Sequence, residues 1–353
     1  MGKVAVVKAY TLLNTNITKN IKQYFNASNF VIVNNYTGAN ITIYKGLSKL
    51  ATATVADGKA IFNLTLDVGN YTMITSYDGS EYVGAIEILP TILIDDNIKI
   101  GYNVDLTINC QFIDTEGIGL ANNTVINGTL NGNPFTLNTT ANGLLQIVLS
   151  DLEVGNYVLS LKNPVTGEIS ETVIDVVSRF AEEAIEGKCY YLDGSSLTAR
   201  IVGDNGQFVG AGEVVIFQTK KGQYRVITDA NGYVNFVLPK TLTPGKHKIK
   251  ATYNGESLIY TVKVKQVLKT SNVKVKKSSK KMVLKAKLVN KLKGKKIIFK
   301  FNGKKYAAKT NKKGVAAVKL GKKVIKKLKA GKKYAFKVAY SKDVIKGIVK
   351  VKK

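Results

Sequence analysis

Hydrophobic and polar residues alternate in four short segments that are spread evenly along the chain. The segments are AIFNLTL (60–66), LLQIVLS (144–150), YVNFVLP (233–239) and VAAVKL (315–320). Such alternation places one face of a β-strand in a core and the other in water. A turn ending in glycine precedes each segment, at Gly58, Gly143, Gly232 and Gly314. Because Asp-Gly and Asn-Gly tolerate a positive φ, turns of this kind predict β-hairpins.

A second motif follows each alternating segment. It reads LDVGNY (66–71), LEVGNY (152–157), LTPGKH (242–247) and LKAGKKY (328–334). Its glycines are separated by 86, 90 and 86 residues, and the turn glycines by 85, 89 and 82. Two independent markers with the same spacing indicate an internal repeat of about 85 residues, present four times.

Each repeat contains about seven short strand patterns separated by turns. An all-β fold of tandem immunoglobulin-like β-sandwiches is the architecture that this pattern predicts. We expect about four such domains, with residues 1–30 the least certain part of the first. The predicted domains are 1–93, 94–177, 178–266 and 267–353.

The second motif has a structural place in this fold, at the corner where the chain crosses from one sheet to the other. We expect its leucine to pack inward, at Leu66, Leu152, Leu242 and Leu328. Its glycine permits the tight crossover, at Gly69, Gly155, Gly245 and Gly331. The aromatic residue is predicted to bond back to the backbone as a tyrosine corner. We expect Tyr71, Tyr157 and Tyr334 to form this bond through the phenol hydroxyl. The third motif has His247 instead, which has a similar shape and a polar tip.

The repeats resemble the bacterial-type Ig-like domains of adhesin-like surface proteins from methanogenic archaea. The most characteristic match is the lysine-dense last repeat, residues 295–320 and 328–353. The resemblance covers nearly the whole chain and implies a stalk or adhesive role at the cell surface. The segment MGKVAVVKAY has no long apolar run, so no signal peptide is visible, and no membrane anchor is seen. Three explanations stay open: a fragment, a misassigned start, or another export route.

The net positive charge is confined to one part of the chain. Residues 267–353 contain 32 lysines, no arginine and one acid, Asp343, which gives a net charge of +31. The whole chain has a net charge of +29, so residues 1–266 have −2. Like charges at this density oppose compaction, and a polyanion that binds them stabilises the fold. Lysine is a point charge, which suits a diffuse polyanion such as an acidic cell-wall polymer.

The segment 318–334 is the candidate polyanion-binding site. Its lysines are Lys322, Lys323, Lys326, Lys327, Lys329, Lys332 and Lys333. Val324, Ile325 and Leu328 share one face of a short helical turn, so the alternative is a one-turn helix that only bridges the two sheets. Nucleic acid is a less favoured partner because arginine is absent. Tyr306, Tyr334 and Tyr340 are available for base stacking but occupy core or corner positions.

Glycosylation sequons show the opposite distribution. N-x-S/T occurs at Asn16, Asn26, Asn35, Asn40, Asn63, Asn70, Asn122, Asn127 and Asn138, and nowhere after residue 140. Either a chain rich in Asn and Thr produces these by chance, or the first half is exposed outside the cell and carries sugar.

Enzyme chemistry has little support. His247 is the only histidine and lies at a corner position, and with Cys110 and Cys189 it cannot form a Cys/His zinc site. We interpret the two cysteines either as free, half-buried thiols or as a disulfide bridge between repeats. Calcium ligands such as Asp95 and Asp96 do not recur between repeats. Intramolecular Lys–Asn crosslinks need a buried acid, of which the fourth repeat has essentially none. We therefore predict no enzyme activity, cofactor or metal.

The sequence thus predicts a non-enzymatic, extracellular stalk or adhesin-like protein. Its C-terminal module is expected to associate electrostatically with a polyanionic envelope polymer. A surface ligand on a host or neighbouring cell is a further hypothesis, for the remainder of the chain. One alternative is a structural spacer of a longer adhesin with no ligand of its own. Another is a nucleic-acid-binding protein that acts through the basic domain.

Overall fold

The computed structural model describes residues 20–185 and 189–353. Strands account for 60% of the structure and helix for 2%, so the predicted all-β fold is confirmed. The chain divides into two compact units, Met1–Val177 and Ser178–Lys353. Asn16 of the predicted sequons lies outside the described residues. Consecutive pairs of sheets follow one another within each unit, and each pair is an immunoglobulin-like sandwich.

Sheet pair 1 comprises residues 21–89. Its larger sheet has the order β1-β7-β6-β3-β4, and β2 pairs with β5 across from it. Alternation buries Ile41 and Ile43 while their neighbours face solvent. The strands are β1 (Ile21–Tyr24), β2 (Phe30–Val33), β3 (Asn40–Lys45), β4 (Ser48–Thr54), β5 (Lys59–Phe62), β6 (Gly69–Tyr77) and β7 (Ser80–Leu89).

Sheet pair 2 comprises residues 92–177. Its sheets have the orders β13-β10-β8 and β12-β11-β14-β15-β9. A short 3₁₀ helix, Ala141–Gly143, precedes β13. The strands are β8 (Ile92–Leu93), β9 (Asn97–Gly101), β10 (Leu106–Phe112), β11 (Val125–Leu130), β12 (Asn133–Asn138), β13 (Leu144–Leu149), β14 (Gly155–Lys162) and β15 (Ile169–Val177).

Sheet pair 3 comprises residues 180–264. Its sheets have the orders β16-β17-β20 and β19-β18-β21-β22. Phe217 and Phe236 stack face to face across the interior at 4.5 Å between ring centroids. The strands are β16 (Phe180–Ile185), β17 (Ser196–Ile201), β18 (Val214–Thr219), β19 (Gly222–Ile227), β20 (Tyr233–Val237), β21 (Gly245–Tyr253) and β22 (Glu256–Val264).

Sheet pair 4 comprises residues 268–352. Its sheets have the orders β23-β25-β28 and β24-β30-β29-β26-β27. A single helical turn, α1 (Lys322–Ile325), joins β28 of one sheet to β29 of the other. The strands are β23 (Leu268–Thr270), β24 (Val273–Lys276), β25 (Lys281–Leu288), β26 (Lys296–Phe301), β27 (Lys304–Lys309), β28 (Val315–Gly321), β29 (Lys333–Tyr340) and β30 (Asp343–Lys352).

Sheet pairs 1, 2 and 4 share a further topological feature. An early strand runs parallel to the last strand of the pair, as β1 does with β7, β9 with β15 and β24 with β30. All the other strand pairs of these sheets are antiparallel. In sheet pair 3, the described residues show only an isolated parallel bridge between Tyr190 and Lys265.

Candidate functional site

The corner motif lies where the chain passes between the two sheets of a pair, for example from β13 to β14. The four leucines predicted to point inward are buried. Tyr71 donates its hydroxyl to the carbonyl of Asp67 at 2.8 Å, and Tyr157 donates to that of Glu153 at 3.0 Å. Nε2 of His247 lies 2.5 Å from the carbonyl of Thr243, four residues upstream as in the tyrosine corners. The imidazole thus takes the structural place of the phenol.

The corner of sheet pair 4 differs because its motif is one residue longer. Here the Tyr334 hydroxyl accepts a hydrogen bond from the backbone N–H of Lys329 at 2.7 Å, instead of donating to a carbonyl. Gly331 has φ +80°, in the left-handed region that favours glycine. The added residue therefore changes the hydrogen bonding of the corner and preserves the crossover.

The helical turn α1 places its apolar side in the core. Ile325 and Leu328 are fully buried, and Val324 packs against the same core. Lys277 donates to the carbonyls of Lys326 and Leu328, which satisfies backbone acceptors at the end of the turn. The one-turn helix that bridges two sheets is therefore the arrangement present, and its apolar face is not available to a membrane or partner.

The seven candidate lysines of segment 318–334 are all exposed. So is every other lysine of residues 267–353 except the half-buried Lys277. Within the described residues, none of these lysines lies within ion-pair distance of a carboxylate. Sheet pair 4 thus presents a dense, uncompensated positive surface, and assignment of the binding site to segment 318–334 stays a prediction.

The described sequon asparagines are exposed at every position. Asn40, Asn70, Asn127 and Asn138 lie in strands, on outward-facing positions. Asn40 accepts a hydrogen bond from Thr54 at 2.7 Å, and Asn127 accepts one from Thr136 at 3.2 Å. Location in a strand therefore does not bury any of them, and glycosylation stays a prediction.

The two cysteines are free and buried, where the sequence predicted half-buried thiols. Burial raises the pKa of Cys110 to about 11. Its thiol is therefore protonated at neutral pH and is a poor nucleophile.

In residues 20–185 and 189–353, no three His, Cys, Asp or Glu side chains are grouped closely enough to hold a metal ion. Asp95 and Asp96 line an open cleft of about 1010 Å³ in the first unit without forming such a group.

The tyrosines considered for base stacking pack against the core. Tyr306, Tyr334 and Tyr340 are half-buried and contact the apolar cluster of the second unit. Burial, with a smaller contribution from Tyr191, raises the pKa of Tyr340. Their rings are therefore occupied by intramolecular packing, which leaves the basic surface without an exposed aromatic platform at these positions.

The sequence interpretation missed a set of carboxylates at the start of the sheet pairs. Asp343 is fully buried and accepts hydrogen bonds from the backbone N–H groups of Val267 at 2.7 Å and Leu268 at 2.9 Å. It also accepts one from the Gln266 side chain at 3.2 Å. The expectation that the fourth repeat has essentially no buried acid is therefore wrong, although the partners of this acid are N–H donors.

The same arrangement recurs in sheet pairs 2 and 3. Buried Glu168 accepts from the backbone N–H of Thr91 at 2.5 Å and of Ile92 at 3.1 Å, and half-buried Glu256 accepts from that of Arg179 at 2.5 Å. The carboxylate and its partner are 77, 77 and 76 residues apart in sheet pairs 2, 3 and 4. We call these side chains, Glu168, Glu256 and Asp343, the junction acids. Each junction acid thus joins two parts of its sheet pair: the segment with which the chain enters the pair, and the turn that precedes the last strand.

A signal for these acids was present in the sequence. Each repeat has an acid in or just after the turn that precedes its last strand, in DGSE, NPVTGE, NGES and SKD. In the first repeat the corresponding acid, Glu81, is exposed. The residues 76–77 positions upstream of Glu81 lie outside the described residues.

The described part of the chain has no helix with the length and apolar character needed to cross a membrane. No protein-family model matches the chain, and no curated protein matches it. Among solved structures, it is similar to a Ca²⁺-stabilised adhesin with which an Antarctic bacterium binds ice, at 13% identity and TM-score 0.23, over 95% of this chain and 99% of that one.

Two further solved structures have comparable scores. A tetra-tandem repeat from the extending region of a large adhesion protein has 14% identity and TM-score 0.22, over 93% of this chain and 97% of that one. Titin domains I67–I69 have 11% identity and TM-score 0.23, over 70% of this chain and 95% of that one. Similarity this low carries no functional information.

Proposed function

We propose that this chain is a non-enzymatic cell-surface protein in which tandem Ig-like domains form a stalk or adhesive body. The domains have the boundaries 1–93, 94–177, 178–266 and 267–353. In this proposal the last domain attaches the protein electrostatically to a polyanionic polymer of the cell envelope. The observation that carries the proposal is the segregation of charge, +31 in residues 267–353 against −2 in the rest. Every lysine of residues 267–353 except Lys277 is exposed, and none of them forms an ion pair with a carboxylate of the described residues.

Stability supports this role for the lysines. Exposed charges promote solubility, but 32 lysines with one acid create repulsion that opposes compaction. A polyanion that binds only the folded domain offsets this repulsion by mass action. The family resemblance of the repeats supports the same location, at the outer surface of a cell.

The proposal predicts salt-sensitive attachment of the full chain to isolated envelopes of the source organism. We expect the protein to pellet with envelopes at about 20 mM NaCl and to be released by about 0.5 M, because the Debye length falls from roughly 20 Å to roughly 4 Å over this range. Sedimentation followed by gel densitometry measures the bound fraction. Absence of pelleting at low salt contradicts the proposal and supports a structural spacer. Preferential retention by duplex DNA, with a steeper salt dependence, supports the nucleic-acid alternative.

The exposed sequons give a second prediction. If the first half of the protein is extracellular in its native host, we expect glycans on exposed asparagines such as Asn26, Asn63 and Asn122. Mass spectrometry of tryptic peptides from natively purified protein measures this occupancy. Asn109 is outside any sequon and serves as the internal negative control. Unmodified asparagines at all eight described sequons contradict the prediction.

A further inference from the structure

The outer face of the five-stranded sheet in sheet pair 4 contains four lysines that stand directly opposite one another on neighbouring strands. Lys300 of β26 pairs with Lys305 of β27 on one side and with Lys337 of β29 on the other, and Lys337 pairs with Lys346 of β30. All four are exposed. Neighbouring strands lie about 4.8 Å apart, so the four positions form a line about 14 Å long across the sheet. We call Lys305, Lys300, Lys337 and Lys346 the lysine row.

In the three-stranded sheet, lysines are directly opposed at one position between β23 and β25, Lys269–Lys287, and are staggered between β25 and β28. Across β25 and β28 of the three-stranded sheet, Lys281 faces Gly321, Lys285 faces Ala317 and Lys319 faces Val283. Like charges directly opposite each other destabilise a sheet, and this staggered arrangement separates them. In the lysine row the charges are aligned at three successive strand pairs instead. The three-stranded sheet thus has a single opposed lysine pair, whereas the lysine row continues through three successive strand pairs.

The other sheet pairs have few charges at the equivalent positions. To find the equivalent positions, we take the residue three positions after the corner aromatic residue, which is Lys337 in sheet pair 4. From it we follow the residues that stand opposite one another across the sheet. Sheet pair 3 has one lysine in this line, and sheet pairs 1 and 2 have none. The equivalent residues are Thr52, Thr42, Ile74 and Val83 in pair 1, Pro134, Thr129, Ser160 and Glu171 in pair 2, and Gln223, Gln218, Lys250 and Ile259 in pair 3.

An aliphatic row lies beside the lysine row, two residues further along each strand. It consists of Ala307, Ile298, Ala339 and Val344, which are aligned by the same strand pairs. Ile298 is 38% exposed and Val344 is 48% exposed. On the other side, Lys333, Lys350 and Lys274 form a second line of opposed lysines across β29, β30 and β24. The face thus alternates between cationic and aliphatic rows.

We propose that the lysine row is a binding site for a linear acidic polysaccharide that lies across the strands. This inference rests on the proposed envelope attachment and specifies its site and ligand class. A polyuronate has one carboxylate on each ring, and a line of regularly spaced lysines neutralises successive carboxylates by point-charge contact. The aliphatic row contacts the C–H surfaces of the sugar rings. Single-stranded nucleic acid is less suited, because the rows contain no aromatic side chain on which a base stacks.

The test compares three triple variants of the full chain that each remove three positive charges. The row variant is K300Q/K337Q/K346Q, the matched control from the three-stranded sheet is K281Q/K285Q/K319Q, and K322Q/K323Q/K326Q tests the segment predicted from the sequence. Binding to polygalacturonate is measured by isothermal titration over a series of NaCl concentrations, with neutral dextran as the blank and poly(dT) as the nucleic-acid comparator.

The row variant is expected to bind polygalacturonate at least about tenfold more weakly than wild type near 50 mM NaCl, with a salt slope reduced by about 3. Each of the other two variants is expected to stay within about threefold of wild type, since each retains the row. Removal of opposed like charges should leave the row variant at least as thermally stable as wild type, which circular dichroism checks.

The outcomes separate the two proposals. Wild-type protein that binds no polyanion at low salt contradicts envelope attachment and the row together. If the wild-type protein binds and all three variants lose affinity equally, the lysine-row proposal alone is contradicted. The number of positive charges, and not their position, then explains the binding. A loss confined to K322Q/K323Q/K326Q assigns the site to segment 318–334 and also contradicts the row. Tighter binding of poly(dT) than of polygalacturonate through the row overturns the polysaccharide assignment in favour of nucleic acid.

Discussion

Replacement of Asp343 by alanine is expected to lower the free energy of unfolding of the last sheet pair by about 2–4 kcal/mol. The carboxylate is fully buried and accepts from two backbone N–H groups and the Gln266 side chain. Alanine leaves these donors without an acceptor at the point where the chain enters β23. The substitution D343N is the milder comparison, because an amide keeps one acceptor oxygen, and we expect it to show about half the loss. Urea denaturation followed by circular dichroism measures the effect.

Two measurements distinguish the loss of these hydrogen bonds from a general effect of net charge: hydrogen exchange of the two backbone amides, and the stability of a variant with the same change in net charge. Hydrogen exchange of the Val267 and Leu268 amides should accelerate in D343A, because these groups lose their acceptor. Substitution of the exposed Ser278 by lysine raises the net charge by one, as D343N does. If S278K and D343N destabilise the protein equally, the hydrogen bonds are not the cause and the junction-acid interpretation is wrong.

The second large effect is expected at Glu168, in the other compact unit. E168A should lower the free energy of unfolding of sheet pair 2 by about 3 kcal/mol, since a buried charged acceptor with several partners is removed. Glu168 accepts from the Thr91 hydroxyl at 2.5 Å as well as from the Thr91 and Ile92 amides. Thr91 is also bonded to Asn163 and Thr166, both of which are buried. The loss therefore spreads through a connected polar network.

Glu171 supplies the matched control, because it lies in β15, three residues after Glu168, and is exposed. E171A removes the same charge and side chain without removing a buried acceptor, and we expect a change within about 0.5 kcal/mol. Thermal and urea unfolding of both variants are compared with wild type. Equal destabilisation by E168A and E171A would show that the buried network contributes little to the stability of this unit.

Much of the fold was predictable because its determinants are local. The glycine turns mark hairpins, and period-two alternation separates Ile41 and Ile43, which are buried, from their outward neighbours. The corner motif is also local: the phenol of Tyr71 reaches a carbonyl only four residues away. Features whose partners lie within a few residues leave a readable pattern in the sequence.

The features that were missed depend on long-range register. Lys300 and Lys337 are 37 residues apart in sequence, and only the pairing of β26 with β29 places them opposite each other. A contiguous run such as 318–334 is visible in the sequence, whereas a line across strands is not. The junction acids were overlooked for a different reason. An acid beside a turn normally faces solvent, and burial of Asp343 becomes evident only when the segment 76 residues upstream lies against it.

The parallel pairing of early and last strands has a mechanical consequence for a stalk. The early strand is near the point where the chain enters a sheet pair, and the last strand is near its exit. Tension on the two ends therefore slides parallel strands past each other and loads their hydrogen bonds together. β24 and β30 share four paired positions, from Val273–Val349 to Lys276–Lys352. Forced unfolding is governed by the unfolding rate, so a sheet pair closed by such a parallel ladder should resist stretching better than one whose hydrogen bonds are loaded one at a time.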